Sequence, residues 1–388
     1  MRILVTFTGG TGHVLPLLPF ARALRARGHD VLVTGQEAVR SVVEGAGFAF
    51  TPSGGATLAD PGARGELIAV DRTREEVVLG QGFAGRTARA RVPRLLELVR
   101  GWHADMVLRD EVDFGAVVAA ERAGIPHVSV VVLAAGGMLR PDVVAPSLDA
   151  LRAEHGLEPD PGLAQLHRHL TLVPVPPSFR DPQHPLPATA VPVQLAVLSD
   201  EEPTLNHEAS AALAWLDRRQ GRPTVHVTLG TVFHQESGDL FTRVLASLGD
   251  RGVNVVVTVG REIDPAELGP GADHVHVARY LPQALLLPHC DVVVNHGGSG
   301  TVVNALALGV PLVLLPMGAD QPWNADRCEA LGVGVVLDPL TASPTDIGAA
   351  VAQVLSSPRH RRAALRLREE ALSLPTAAEA AALVEQLP

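Results

Sequence analysis

Twice in this chain a short, mostly apolar run stops at a glycine-rich turn, and a helical pattern starts at once. Ile3–Phe7 leads into Thr8-Gly9-Gly10-Thr11-Gly12-His13, and Val292–Asn295 leads into His296-Gly297-Gly298-Ser299-Gly300-Thr301. Strand, glycine turn and helix in that order constrain the fold class tightly, because a strand feeding a helix must cross over to a parallel neighbour. Other runs fit the same rhythm. Asp30–Thr34, Met106–Leu108 and His127–Leu133 read as buried strands, with helical patterns at Pro16–Arg27 and Gly115–Ala123. The second half restarts: Thr224–Leu229, Asn254–Val259, His274–Val277 and Pro311–Leu315 read as strands, and Thr301–Leu308 as a helix. The prediction is an α/β protein with parallel sheets covered by helices.

Between the halves, Leu172–Pro203 carries many prolines and few periodic apolar positions, which reads as a linker. The boundary is expected near Glu202–Ser210. The predicted division is 1–203 for an N-terminal domain with its linker, 204–372 for a second domain, and 373–388 for a C-terminal helix. Two doubly wound domains facing across a cleft are the natural architecture. Thr51–Arg94 is poorly periodic; its first part reads as loops and its second as a helix.

Composition excludes several classes. Lysine and arginine total 32 against 42 acidic residues, a net charge of −10, with no basic patch, so nucleic acid and anionic membrane are not expected partners. No apolar run is long enough to span a bilayer, and the N-terminus does not read as a signal peptide. Cys290 and Cys328 lack metal-ligand spacing and cannot make a disulfide framework, which fits a reducing cytoplasm.

The turn at His296–Thr301 offers free N–H groups and the positive end of a helix dipole, a site suited to a diphosphate. Gly297, Gly298 and Gly300 would let oxygens reach the backbone. Ser299 and Thr301 carry hydroxyl donors, and His296 could bond the β-phosphate. Gly230-Thr231, after Thr224–Leu229, is a further glycine turn expected at the same place. The alternative for either glycine loop is a plain strand-to-helix turn. A dinucleotide dehydrogenase fits poorly: Gly10-x-Gly12 is followed by Leu15 where a third glycine belongs, and Glu37 lies past the place of the acid that would hold the ribose. No Asp-x-Asp occurs to hold a metal on a nucleotide-sugar, so no metal cofactor is expected.

The stretch Arg279-Tyr280-Leu281-Pro282-Gln283, the glycine loop at 296–301 and Asp320-Gln321 together resemble the donor-binding signature of the inverting glycosyltransferases with small-molecule acceptors. These have the GT-B architecture of two facing Rossmann-like domains. The weaker likeness of Thr8–His13 extends the resemblance along almost the whole chain. It implies that Tyr280 stacks on the base, where the family usually has tryptophan, with Leu281 reading the base edge and Gln283 in the same segment. The alternative for Tyr280 is a partly buried core ring. It implies that Asp320 and Gln321 hold sugar hydroxyls, that residues 51–94 wall the acceptor pocket, and that the helices after Ser373 pack back across the linker. Val130–Leu139 and parts of Leu58–Leu79 are further candidates for lining that pocket. Where UDP-sugar enzymes of this family often carry a glutamate on both ribose hydroxyls, this chain has Asn304. Deoxyribose has no 2′-hydroxyl, so a dTDP-deoxysugar donor is expected.

A base must take the acceptor's proton. His13, at the Gly10-Thr11-Gly12 turn on the acceptor side, is the candidate, its ring expected to be kept neutral by the start of a helix. The alternative is a structural loop histidine, one of 16 in the chain. The resemblance supplies a partner carboxylate from the end of a later strand; Asp110 matches, with Glu111 and Asp113 as near competitors. The reading is therefore an inverting, metal-independent transferase acting between a nucleotide-sugar and a hydroxyl of a small hydrophobic natural product such as a polyketide or macrolide. Its partners are those two small molecules, with a homodimer as one option. Rivals are a nucleotide-sugar 2-epimerase of the same build, a UDP-sugar transferase and a non-catalytic sugar-nucleotide-binding protein.

Overall fold

The computed structural model describes residues 1–55, 65–198, 205–230, 237–249, 251–269 and 272–387. Thr231, the 203/204 boundary and part of Leu58–Leu79 lie outside them. The chain divides into two compact units. The first comprises Met1–Leu58, Arg72–Ala196 and Ser373–Pro388; the second comprises Ala59–Asp71 and Val197–Leu372.

Among the described residues, the first unit holds a seven-stranded sheet ordered β3-β2-β1-β4-β5-β6-β7. Its strands are β1 Arg2–Thr6, β2 Asp30–Gly35, β3 Ala49–Pro52, β4 Met106–Asp110, β5 His127–Val130, β6 Leu170–Val173 and β7 Ala190–Pro192. The second holds a six-stranded sheet ordered β10-β9-β8-β11-β12-β13. These strands are β8 Thr224–Thr228, β9 Asn254–Thr258, β10 Val275–Ala278, β11 Val292–Asn295, β12 Leu312–Leu314 and β13 Gly334–Val336. Every strand pair is parallel. Helices cover both faces, so central strands such as β4, β8, β9 and β11 are buried at every residue. That is why they read as apolar runs and not as alternating ones. Valine dominates the second core, with Val225, Val227, Val255, Val257, Val292 and Val294 in one cluster.

Both sheets reverse their winding at one place, between β1 and β4 and between β8 and β11. There the loops leaving neighbouring strands part to opposite faces and open a crevice at the carboxyl ends. The two glycine turns follow β1 and β11, so topology alone sets each at a switch point.

The linker expectation for Leu172–Pro203 needs correction. Within it lie the end of β6 and all of β7, paired as Leu172↔Val191 and Val173↔Pro192. A three-residue edge strand has no room to show a period, and proline is tolerated on an edge where one side needs no donor. Strands β3 and β13 were unread for the same reason of length. In the 51–94 region the second part is indeed helical, but it contains π-type turns over Val78–Thr87 between Arg72–Val77 and Ala88–Gly101. Close packing on the helix Pro141–Glu154 accompanies them: a Cβ on Gly80 would sit 2.2 Å from the Val143 carbonyl oxygen.

The helix Ala377–Val384 packs against Leu18–Ala26 within the first unit. Arg27 and His29 both bond Glu385 just beyond it, at 2.5–2.8 Å. The Arg27 hydrogen bond, then that of His29, brings the Glu385 carboxyl down from an ordinary 4.5 to about 2. A carboxyl whose folded value is depressed stabilises docking above its unfolded value, and loses that contribution as protons bind. Docking of this helix should therefore hold above pH 4.5 and weaken progressively as pH falls toward 2. Hydrogen exchange of residues 377–384 across that range checks it; equal protection at both ends would refute it.

Candidate catalytic and donor-binding residues

In the first unit Thr6 of β1 pairs with Arg109 of β4, which brings the turn after β1 beside the end of β4. The Thr8 N–H donates to Asp110 Oδ2 at 3.1 Å, and His13 Nδ1 meets the same oxygen at 2.9 Å. The His13 side chain is 23% exposed and Asp110 is fully buried. The carboxylate fixes Nδ1 as the protonated nitrogen and leaves Nε2 as the basic one. The competing acids are used otherwise. Glu111 accepts the N–H groups of Val132 and Leu133, which draws the chain out of the sheet after β5, and burial pushes its carboxyl up. Asp113 is buried against Arg91 at 2.8 Å and caps the helix Phe114–Ala123.

Gly9, at φ +129°, is the glycine the turn most needs: a Cβ there would lie 2.4 Å from the His13 ring. Gly10 and Gly12 face open space, and Gly10 precedes the single helical turn Thr11–Val14. His13 lies in the last turn of that helix, not at the start of a long one. One turn has little macrodipole, so the helix does not supply the protection expected for a neutral ring. Phe83, from the π-type segment, stacks on the imidazole at 6.0 Å and 30°. Phe83 escaped sequence reading, as did Gln36, whose amide oxygen accepts the Gly9 N–H at 3.2 Å, and Arg91. None of the three belongs to a motif.

In the second unit Asn295 of β11 pairs with Thr228 of β8, so the turns at 296 and 230 are neighbours. The imidazole of His296 is nested between two glycines: a Cβ on Gly230 would lie 2.4 Å from its Nε2, and one on Gly298 2.5 Å from it. These glycines therefore make room for a ring from the protein itself, besides any ligand oxygen. Gly300 faces open space, and Gly297 donates its N–H to Asn295 Oδ1 at 2.7 Å. The helix Ser299–Ala307 begins here with Gly298 as its N-cap, which supplies no side-chain cap. The N–H groups and dipole of a helix start suit an anion.

One expected donor is already committed: Ser299 gives its hydroxyl proton to Asp320 Oδ2 at 2.5 Å. Thr301 Oγ1 accepts from Gln283 at 3.2 Å and keeps its own proton to donate. Gln321 is buried, and its carbonyl oxygen accepts the N–H groups of Met317 and Gly318, which leaves the amide nitrogen for a ligand. Asn324 ties the site together by donating to Gly297 O, Ser299 Oγ and Asp320 Oδ2. Its spacing of four from Asp320, one helical turn, was the readable signal. Asn304 donates to Gln283 Oε1 at 2.8 Å, so a neutral amide chain occupies the place of the glutamate.

Tyr280 is half-buried and lines a cavity of about 600 Å³ with Asn206, Glu208, Arg261, Arg279 and Pro282. The Arg261 guanidinium lies over its ring at 4.9 Å. Leu281 is buried. Among the described residues no group of three or more His, Cys, Asp or Glu could hold a metal ion, and no helix is long and apolar enough to cross a membrane.

Residues 242–387 match the family described as "Erythromycin biosynthesis protein CIII-like, C-terminal domain". The chain is 32% identical to L-demethylnoviosyl transferase of Streptomyces niveus over 387 residues, covering 97% of this chain and 96% of that one. It is 32% identical over 432 residues to 4'-demethylrebeccamycin synthase of Lentzea aerocolonigenes, covering 100% and 99%. Among solved structures the spinosyn rhamnosyltransferase SpnG is similar over the full length of both chains, with a TM-score of 0.82 and 26% identity, and has been solved with thymidine diphosphate and with the spinosyn aglycone. The 2-epimerase alternative finds no support among these relatives. With two Rossmann-like domains and full-length similarity of this kind, the chain belongs to the GT-B glycosyltransferases of antibiotic and natural-product biosynthesis.

Proposed function

We propose that the chain is an inverting, metal-independent transferase that moves a sugar from a dTDP-linked donor, a deoxysugar, to a hydroxyl of a small hydrophobic natural product such as a polyketide or macrolide. One observation carries this reading beyond sugar-nucleotide binding: the His13–Asp110 pair at the switch point of the first sheet. The acceptor oxygen attacks C1 from the face opposite the leaving group, and the C1–O bond to the β-phosphate breaks with its electron pair staying on the diphosphate. The acceptor's proton passes to His13 Nε2, and Asp110 stabilises the imidazolium formed. The N-terminus of Ser299–Ala307 and the imidazole of His296 take up the charge that grows on the diphosphate, so the chemistry needs no metal. Phe83, stacked on His13, gives the acceptor an apolar wall.

Thymidine diphosphate bound to SpnG supports the choice of nucleotide, and so does Asn304. An amide paired to Gln283 cannot grip two ribose hydroxyls as a carboxylate does. The wild-type protein should turn over a dTDP-sugar faster than the UDP form of the same sugar. Asn304→Glu should shift the ratio of kcat/KM values toward UDP by about tenfold, the worth of a hydrogen bond to a charged group. Product formation by mass with one natural-product acceptor checks both. A wild-type preference for UDP would overturn the donor assignment.

A further inference from the structure

Beneath the His13–Asp110 pair lies a buried cluster in which one arginine holds together the ends of the strands that carry the pair. Arg91, on the helix Ala88–Gly101, is wholly inaccessible to solvent. Its guanidinium pairs with Asp113 at 2.8 Å and donates to Thr6 Oγ1 and Ser53 Oγ, each at 2.9 Å, and to Thr8 Oγ1. Thr6 in turn donates to Asp113 Oδ2 at 2.7 Å. The partners come from β1 (Thr6), the turn after it (Thr8), the chain leaving β3 (Ser53) and the loop leaving β4 (Asp113).

A buried ion pair is poor value as a source of stability, since well-packed apolar side chains of similar size often do as well or better. Its fork geometry is what apolar residues cannot reproduce: five donors in one plane set the relative positions of several oxygens at once. Here those oxygens bracket the dyad. Thr8 takes the guanidinium on its hydroxyl and gives its N–H to Asp110 Oδ2, the oxygen that also holds His13 Nδ1. Asp113 lies three residues past Asp110, in the loop leaving β4. Arg91 therefore touches both segments that meet at the hydrogen bond, and neither contact is to His13 or Asp110 themselves.

We propose that Arg91, acting through the Thr8 hydroxyl and Asp113, is a positioning residue that sets the register of His13 against Asp110. The inference rests on His13 being the base. A misplacement of about 1 Å at a reacting group can cost on the order of 100-fold in rate. Thr8→Val removes one hydroxyl at nearly constant volume, and Thr8→Ser restores it. Arg91→Lys keeps the charge against Asp113 and loses the fork. Thr8→Val and Arg91→Lys should each lower kcat by roughly 10- to 100-fold with the KM for the dTDP-sugar unchanged, while Thr8→Ser keeps most of the wild-type rate. His13→Ala runs alongside. If Thr8→Val and Arg91→Lys fold and turn over like wild type while His13→Ala is inactive, the positioning role is overturned and the base assignment stands. If Thr8→Ser falls as far as Thr8→Val, the hydroxyl is not the link and the proposal fails. If His13→Ala stays active, the base assignment fails and this inference with it.

Discussion

His13→Ala should lower turnover by about 10²–10⁴-fold while leaving the affinity for thymidine diphosphate unchanged, the range general-base catalysis commonly supplies. The expectation follows from where the residue sits. His13 and Asp110 belong to the first unit, whereas the N-terminus of the helix Ser299–Ala307, His296 and the Asp320–Asn324 pair belong to the second. Removing the imidazole takes away a proton acceptor and touches no proposed nucleotide contact. Asp110→Asn should lose nearly as much, because it spares the ring but can present its amide to Nδ1, which favours the tautomer protonated on Nε2 and leaves that atom unable to act as a base. Single-turnover rates, with calorimetric titration of thymidine diphosphate, separate the two quantities. Turnover within a few-fold of wild type for His13→Ala would remove the base from the mechanism.

Gly298→Ala should weaken use of the donor by about 10- to 100-fold in kcat/KM, and the loss should largely vanish in a His296→Ala background. Gly298 sits at φ −62° and ψ 138°, a conformation open to any residue, so alanine costs nothing in the backbone. The obstacle is the neighbouring ring: the added methyl would lie 2.5 Å from His296 Nε2 and 2.9 Å from Cε1. The imidazole must turn away, and the hydrogen bond to the diphosphate proposed for it goes with it. A hydrogen bond to a charged group contributes about 1.5–3 kcal/mol, which sets the range. Where His296 is already absent, the methyl fills vacated space, so the two substitutions should be strongly non-additive. A double-mutant cycle on donor kcat/KM measures this. Equal losses in both backgrounds would mean that Gly298 serves the ligand directly and that the nest around His296 is incidental.

Much of the proposed donor platform was legible because its parts are contiguous in sequence. The run Val292–Asn295, the glycines after it and the helix beyond form one supersecondary unit, whose chemistry follows from exposed N–H groups at a helix start. Asp320 and Asn324 were within reach for a similar reason, since one helical turn puts them on one face. The acid beside His13 was legible only as a choice among Asp110, Glu111 and Asp113. Three acids within four residues differ little in composition. The strand pairing Thr6↔Arg109 brings Asp110 next to the turn, while Glu111 and Asp113 are claimed by the N–H groups of Val132 and Leu133 and by Arg91.

By itself the sequence determined the class of fold, two parallel α/β units, and the loops for which the chemistry is proposed. Strand, turn and helix are encoded by short-range periodicity and by glycine, and these act over a few residues. Only the tertiary structure decided that β7 lies inside the presumed linker, that Gly230 and Gly298 enclose His296, that Ser299 is committed to Asp320, and that Arg91 lies under the dyad. Each of these joins positions distant in the chain or depends on the orientation of one side chain. Parallel strands meet only after a crossover, so their partners share no local pattern, and it is packing in three dimensions that selects which polar groups meet.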